Sequence, residues 1–182
     1  YSEATRSPTT SLLVVNAYNQ KWDGTSWTEL NDLTSSRNRG NCAGTITAAL
    51  YFGGSPTSYK TYTETWDGTS WTEVNNLNTG KQYFAGTGTQ TAAITAGGEP
   101  SQGITETWDG TCWTEVADLN NPRSTLTGAK NGTTTAYLVF GGYAALPPPA
   151  GVRAFTETWN GTSWTEVNDL NTARDSGAGS GS

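Results

Sequence analysis

The sequence predicts an all-β fold assembled from repeated four-stranded antiparallel units, on three observations. A nine-residue segment, Trp22 to Leu30, recurs from Trp66, from Trp108 with Cys112 replacing Ser, and from Trp159 with Asn160 replacing Asp, at intervals of 44, 42 and 51 residues. A second marker, the doublets Gly53-Gly54, Gly97-Gly98 and Gly141-Gly142, recurs at 44 and 44 residues. Two independent markers therefore share one period, and such self-similarity is the mark of a repeat architecture. Third, no stretch carries a helical period, and the polar residues are mostly Thr, Ser, Asn and Gly, which favour extended chain and tight turns.

Each unit parses into four short strands. Asn41–Thr45 reads as a first strand of small residues, suited to a crowded axis, and Ala48–Phe52 as a buried second strand running into a glycine doublet. Asp67-Gly68 separates Tyr62–Trp66 from Ser70–Val74, and Asp-Gly between β-rich stretches marks a hairpin because both residues tolerate positive φ. In either plausible register of that hairpin the two Trp share a face and can pack. The units are 1–34, 35–78, 79–121 and 122–171, with Asn16-Ala17 in place of the first doublet and Tyr1–Thr5 over the first strand. Residues 172–182 open a further unit or supply a closing strand. Blades of a β-propeller satisfy the strand count, the period and the absence of helix together, each sheet being sandwiched between aromatic-rich neighbours.

The order of a basic residue, a small-residue strand, an apolar strand ending in Gly-Gly, and paired aromatics resembles the kelch repeat. It runs Arg37…Gly53-Gly54…Trp66…Trp71, then Lys81…Gly97-Gly98…Trp108…Trp113, then Arg123…Gly141-Gly142…Trp159…Trp164. The resemblance covers nearly the whole chain and implies a kelch-like β-propeller with four repeats present and a fifth begun. Trp stands where kelch repeats usually carry Tyr, and the aromatics are closer together than in that family. The near-verbatim Thr-Glu-Thr-Trp-Asp-Gly-Thr-Ser-Trp style also resembles tandem repeats in virion proteins of marine bacteriophages, which implies an extracellular or virion-surface location.

Composition narrows the function. Only 34% of the 182 residues are hydrophobic, so the core must be aromatic, and eight Trp with eight Tyr can supply it. A net charge of −6 without a basic run argues against nucleic acid and anionic membrane surfaces, which need clustered Lys and Arg. Apolar runs such as Ala136–Phe140 are strand-sized, far short of a membrane helix. The chain has no Met and is read as excised from a longer array. Cys42 and Cys112 occupy non-equivalent repeat positions, which speaks against a disulfide framework.

Without a single His, the chain lacks Ser-His-Asp and Cys-His catalysis and the commonest zinc and copper ligand. The copper site of galactose oxidase, which some kelch propellers resemble, is excluded for this segment. Glu64, Glu106 and Glu157, with Glu73, Glu115 and Glu166, could in principle form glycosidase pairs. They recur in unit after unit, however, whereas a catalytic group is needed once, so they read as structural. The expectation is no catalytic residue, no cofactor and no metal. The remaining alternative is a fragment of a carbohydrate-active propeller enzyme with its catalytic residues elsewhere. The Asn131 and Asn160 sequons arise in Asn-Gly turns, and Pro147-Pro148-Pro149 reads as a stiffened loop.

In a meander the connection from second to third strand and the link to the next unit share one end. All length variation falls in the former: Ser55–Thr61, Glu99–Gly103 and Tyr143–Ala154. The links carry Arg37, Arg39, Lys81, Arg123 and Arg174. These five with Tyr59 and Tyr143 are the expected ligand face, since variable loops on a rigid scaffold are where binding usually resides; equally open is that the basic residues only neutralise Asp and Glu such as Asp32 and Asp118. Trp22, Trp27, Trp66, Trp71, Trp108, Trp113, Trp159 and Trp164 and the glycine doublets are expected to be structural. The expected partners are glycan or protein subunits of the same assembly, including a homo-oligomer through the terminal strand.

Overall fold

The computed structural model describes residues 17–55, 57–100, 103–145 and 149–179, and the backbone alone of residues 11–15 and 102. Among these residues the chain is entirely β and turn. The first sheet contains β1 (Ser11–Val15), β2 (Tyr18–Trp22) and β3 (Trp27–Leu30). The second contains β4 (Asn41–Thr45), β5 (Ala48–Phe52), β6 (Thr63–Trp66) and β7 (Trp71–Val74). The third contains β8 (Ala85–Gly88), β9 (Ala93–Gly98), β10 (Gln102–Trp108) and β11 (Trp113–Val116). The fourth contains β12 (Thr127–Gly128), β13 (Tyr137–Phe140), β16 (Thr156–Trp159) and β17 (Trp164–Val167), with a small hairpin, β14 (Tyr143–Ala144) and β15 (Gly151–Val152), inserted between its second and third strands. Every pairing is antiparallel, and apart from the β14–β15 insertion between β13 and β16 each strand pairs with its neighbours along the chain, so each sheet is a meander.

The predicted first and second strands of the second unit coincide with β4 and β5, while β6 and β7 each begin one residue late. The tight turn delays β7, because Asp67 Oδ1 accepts the amides of Thr69 and Ser70 at 2.8 Å each, while at the far end of the hairpin Asn76 Oδ1 accepts the Thr63 amide at 2.9 Å where β6 begins. Trp66 stands directly opposite Trp71, and their rings lie 5.3 Å apart. Asn160 makes the same turn through Thr162 and Ser163, at 2.9 Å, without a charge. Two expectations need adjusting. Ser11 pairs with Trp22 as Ala49 pairs with Trp66, so Val15, not Asn16, falls level with Gly53. Tyr1–Thr5 and Pro147-Pro148 lie outside the described residues, and Cys42 and Cys112 are free.

The sheets stack, and the alternation of a strand divides each second strand between two neighbours. Leu50 and Phe52 pack forward on Phe84, Ala93, Trp108 and Trp113 of the third sheet, whereas Ala49 and Tyr51 face back with Trp66 and Trp71. Ile94 and Ala96 repeat the forward contact against Tyr137, Val139, Trp159 and Trp164. Two joints are pinned by a hydrogen bond from indole to threonine: Trp113 Nε1 donates to Thr63 Oγ1 and Trp164 Nε1 to Thr105 Oγ1, both at 3.0 Å. At the first joint Asn19 stands in the threonine position, and Trp71 Nε1 meets no acceptor among the described residues. The glycine doublets let the following unit dock. Gly54, Gly98 and Gly142 donate to the carbonyls of Lys81, Arg123 and Arg174 at 2.8, 3.0 and 2.8 Å. A Cβ on Gly53 would stand 2.7 Å from the Phe84 ring and 3.0 Å from the Lys81 carbonyl, and φ there is positive.

Two tests follow from this packing. Trp113→Ala, emptying a site 5% exposed, should cost about 3–5 kcal/mol, and Trp27→Ala, at a site 45% exposed, about 1 kcal/mol through its lost ring partner, as read from thermal melts. The turn amides hold the Asp23, Asp67 and Asp109 carboxyls below their ordinary value. A depressed folded pKa contributes stability above the unfolded value, lost as pH falls through the folded one. Replacing all three by Asn should therefore leave melting at pH 7 little changed and flatten its fall below about pH 4.

Candidate binding face

The links and the second-to-third connections do meet at one end. Ser55 donates to the carbonyl of Asn38, Gln82 and Glu99 exchange both backbone bonds, and so do Ser124 and Tyr143. Beside these bridges one residue per unit adopts positive φ without being glycine: Arg39 (61°), Tyr83 (55°), Thr125 (50°) and Ser176 (51°). They are joined in a line, Tyr83 N donating to Arg39 O at 3.3 Å, Thr125 N to Tyr83 O at 2.8 Å and Ser176 N to Thr125 O at 3.0 Å. Strained backbone that a repeated hydrogen bond holds in place fixes the side chains it carries.

Three of the seven expected ligand residues are not on that face. Arg37, Lys81 and Arg123 are at most 2% exposed, inside the joints. Arg37 pairs with Glu64; Lys81 Nζ lies 3.3 Å from Glu106 and Arg123 Nη1 lies 2.5 Å from Glu157. Their partners are thus the buried glutamates, not Asp32 or Asp118. The physical reason is length: a basic side chain at the start of a unit reaches inward to the carboxylate beside the first Trp, and burial forces the two to pair. Each carboxylate also accepts link amides, from Thr34, from Asn78 and Thr79, and from Asn120 and Asn121. Arg37 Nε further donates to the Gly53 carbonyl at 3.1 Å, and its guanidinium lies 5.0 Å from the Tyr51 ring. Burial pulls the Lys81 ammonium below its ordinary value, with the Glu106 charge opposing. Glu73, Glu115 and Glu166 lie exposed on the neighbouring strand.

Four expected residues are exposed: Arg39, Tyr59, Tyr143 and Arg174. Arg39 stacks 5.0 Å from the Tyr83 ring and reaches Gln82 Oε1 at 3.5 Å; Gln82 Nε2 donates to Glu99 at 3.1 Å. Nearby connectors add Lys60 over Tyr62 at 5.5 Å and Arg153 over Phe155 at 6.0 Å. Tyr83, Lys60, Tyr62 and Arg153 were not anticipated. Tyr83 could have been found, because it sits 44 residues after Arg39, one period on. The face therefore combines aromatic rings, fixed guanidinium groups and amide and carboxylate acceptors, a set that suits polar, ring-shaped or peptide ligands through stacking and hydrogen bonds.

The opposite end carries the near-identical Asp-Gly turns and a shallow depression walled by Gly44, Thr45, Ala48, Gly88, Thr89, Gln90 and Thr91, with no charged side chain. Burial pushes the Cys42 thiol up to about 12, so it is protonated at neutral pH. Among the described residues no three His, Cys, Asp or Glu converge as metal ligands, and no helix is long and apolar enough to cross a membrane. No protein-family model matches the chain, and no curated protein matches it in sequence.

The buried pairs and the face separate in experiment. Arg37→Met should cost about 3–5 kcal/mol of stability, because it leaves Glu64 buried without its cation, whereas Arg39→Ala should change the melting free energy by under about 0.5 kcal/mol.

Proposed function

We propose that this chain is a run of kelch-like propeller blades acting as a non-catalytic binding and assembly module of an extracellular or virion-surface structure, taking glycan or protein on its connector face. The observation that carries this reading is the contrast between the two ends of the stacked sheets. One end repeats the same Asp-Gly or Asn-Gly turn four times; the other gathers every connector that varies in length, with Arg39 on Tyr83, Tyr59 and Tyr143 exposed among them. A scaffold that recurs and loops that differ are the usual division between support and recognition. Support for a radial arrangement comes from the line of bonds Arg39, Tyr83, Thr125 and Ser176, which advances one unit per step beside the first strands.

The buried Glu residues suit this reading better than a hydrolytic one, since each is committed to a cation and to backbone amides of the link. A glycan array and a pull-down from surface-exposed proteins test the proposal. Binding by the intact chain should fall about tenfold or more in Arg39→Ala/Tyr83→Ala, with the melting temperature nearly unchanged. Binding indifferent to every connector-face substitution, or none to either class of ligand, would remove this reading.

A further inference from the structure

The two outer faces of the stack carry the two halves of the joint that the sheets use internally. At the joints of the second sheet with the third and of the third with the fourth, the rear sheet offers an apolar pair on its second strand, a valine on its fourth, and a threonine as indole acceptor. On the fourth sheet those positions are Leu138, Phe140, Val167 and Thr156; Leu138 and Phe140 are half-buried and Val167 is 41% exposed. The link residues recur too. Asn78 and Asn120 donate to the carbonyls of Trp113 and Trp164, and Asn31 and Asn75 to those of Thr69 and Thr111. Asn171 and Asn168 hold these two positions after the fourth sheet, and both are exposed.

The segment after Leu170 is already placed for a next sheet. Gly142 donates to the Arg174 carbonyl and Ser176 to that of Thr125, while Gly179 lies against the Gly128 carbonyl. Residues 176–179, part of the 172–182 segment expected to open a further unit or supply a closing strand, thus lie in the first-strand slot without a strand partner among the described residues. The first sheet presents the matching half: Trp22 and Trp27 face outward, 5.4 Å apart, with Trp27 45% exposed where its counterparts are buried.

We infer that the chain associates head to tail with a second copy, the first sheet of one seating its Trp22–Trp27 pair on the Leu138, Phe140 and Thr156 face of the other. Trp27 Nε1 then donates to Thr156 Oγ1, and Asn171 and Asn168 to the carbonyls of Trp27 and Thr25. Among the described residues nothing covers either face, which leaves both halves of the joint available to a second copy of the 182-residue chain. The joint is then a heterologous contact, which yields rings or filaments rather than a closed pair. One internal feature is missing from it. The position of Glu64, Glu106 and Glu157 is Gln20 in the first sheet, so Arg174, which no carboxylate pairs among the described residues, meets an amide instead of its usual anion. A buried cation without its partner weakens a joint, and the association is reversible for that reason.

The inference rests on the stacking of the sheets and not on a ligand at the connector face, so glycan binding and self-association are read separately. Sedimentation velocity and light scattering on the 182-residue chain over a concentration series should show mass rising above the 19.3 kDa of one copy. Gln20→Glu, which restores the anion, should move that rise to roughly tenfold lower concentration or further, a gain that Arg174→Met abolishes. Trp27→Ala and Thr156→Val should weaken association while the melt stays cooperative. A constant 19.3 kDa at all concentrations, whether Trp27 is quenched freely or is shielded by closure within one chain, would overturn the inference. So would an assembly indifferent to Gln20→Glu and Trp27→Ala.

Discussion

Everything in this molecule depends on the joint between successive sheets. A sheet of four strands with about five residues each cannot bury both of its faces alone, and small sheets need a partner to be stable. Here the partner is always the next copy of the same sequence. One face of a unit supplies two indole rings, and the preceding unit supplies the apolar side chains they rest on and, at the later two joints, the threonine that takes the indole hydrogen bond. Because the rings do the filling, a chain with few aliphatic residues still forms continuous cores around Trp66 and Trp71, Trp108 and Trp113, and Trp159 and Trp164.

The ion pairs are the second element of that joint, and they do a different job. Replacing a buried pair by packed apolar groups is often neutral for stability, so the Arg37–Glu64 contact is weak evidence for strength. What it supplies is position. The glutamate binds the amides of the incoming link, and the guanidinium or ammonium reaches across to carbonyls such as those of Gly53, Gly141 and Ile104. A link anchored at both ends leads into one backbone path, and that path places Arg39, Tyr83 and Thr125 in the same left-handed conformation.

Most of the architecture was legible because its signals are local or periodic. Asp-Gly between β-rich stretches located the hairpins, and the recurrence of Trp and Gly-Gly gave the strand count. Strand starts were off by one where side chains took backbone amides, Asp67 those of Thr69 and Ser70 ahead of β7 and Asn76 that of Thr63 at the start of β6. The site was less legible, and Arg37 shows why. Sequence places it in the same link as Arg39, two residues away, yet one is sealed in the joint and the other is solvated. The difference lies in the left-handed backbone at Arg39, where φ is 61°, and in a glutamate 27 residues on, neither of which is a local sequence pattern. Charge recurrence was itself the missed signal: Glu64, Glu106 and Glu157 recur with Arg37, Lys81 and Arg123, one anion for each cation, which is what a buried structural pair requires and a ligand face does not.

A joint specified entirely within two adjacent units sets no limit on their number. Stability in such arrays is close to a sum of unit and nearest-neighbour terms, and the end units are where the pattern has to change. The first sheet does depart, with Gln20 in place of the glutamate, whereas the fourth unit does not: Leu138, Phe140, Thr156, Asn171 and Arg174 all retain the chemistry of an internal position. The two ends are therefore unequal. The trailing face keeps the charge and hydrogen-bonding groups of a complete joint, and the leading face keeps the aromatic half while giving up the anion, so a joint between these two faces would rest on packing and hydrogen bonds without the pair that orders the internal ones.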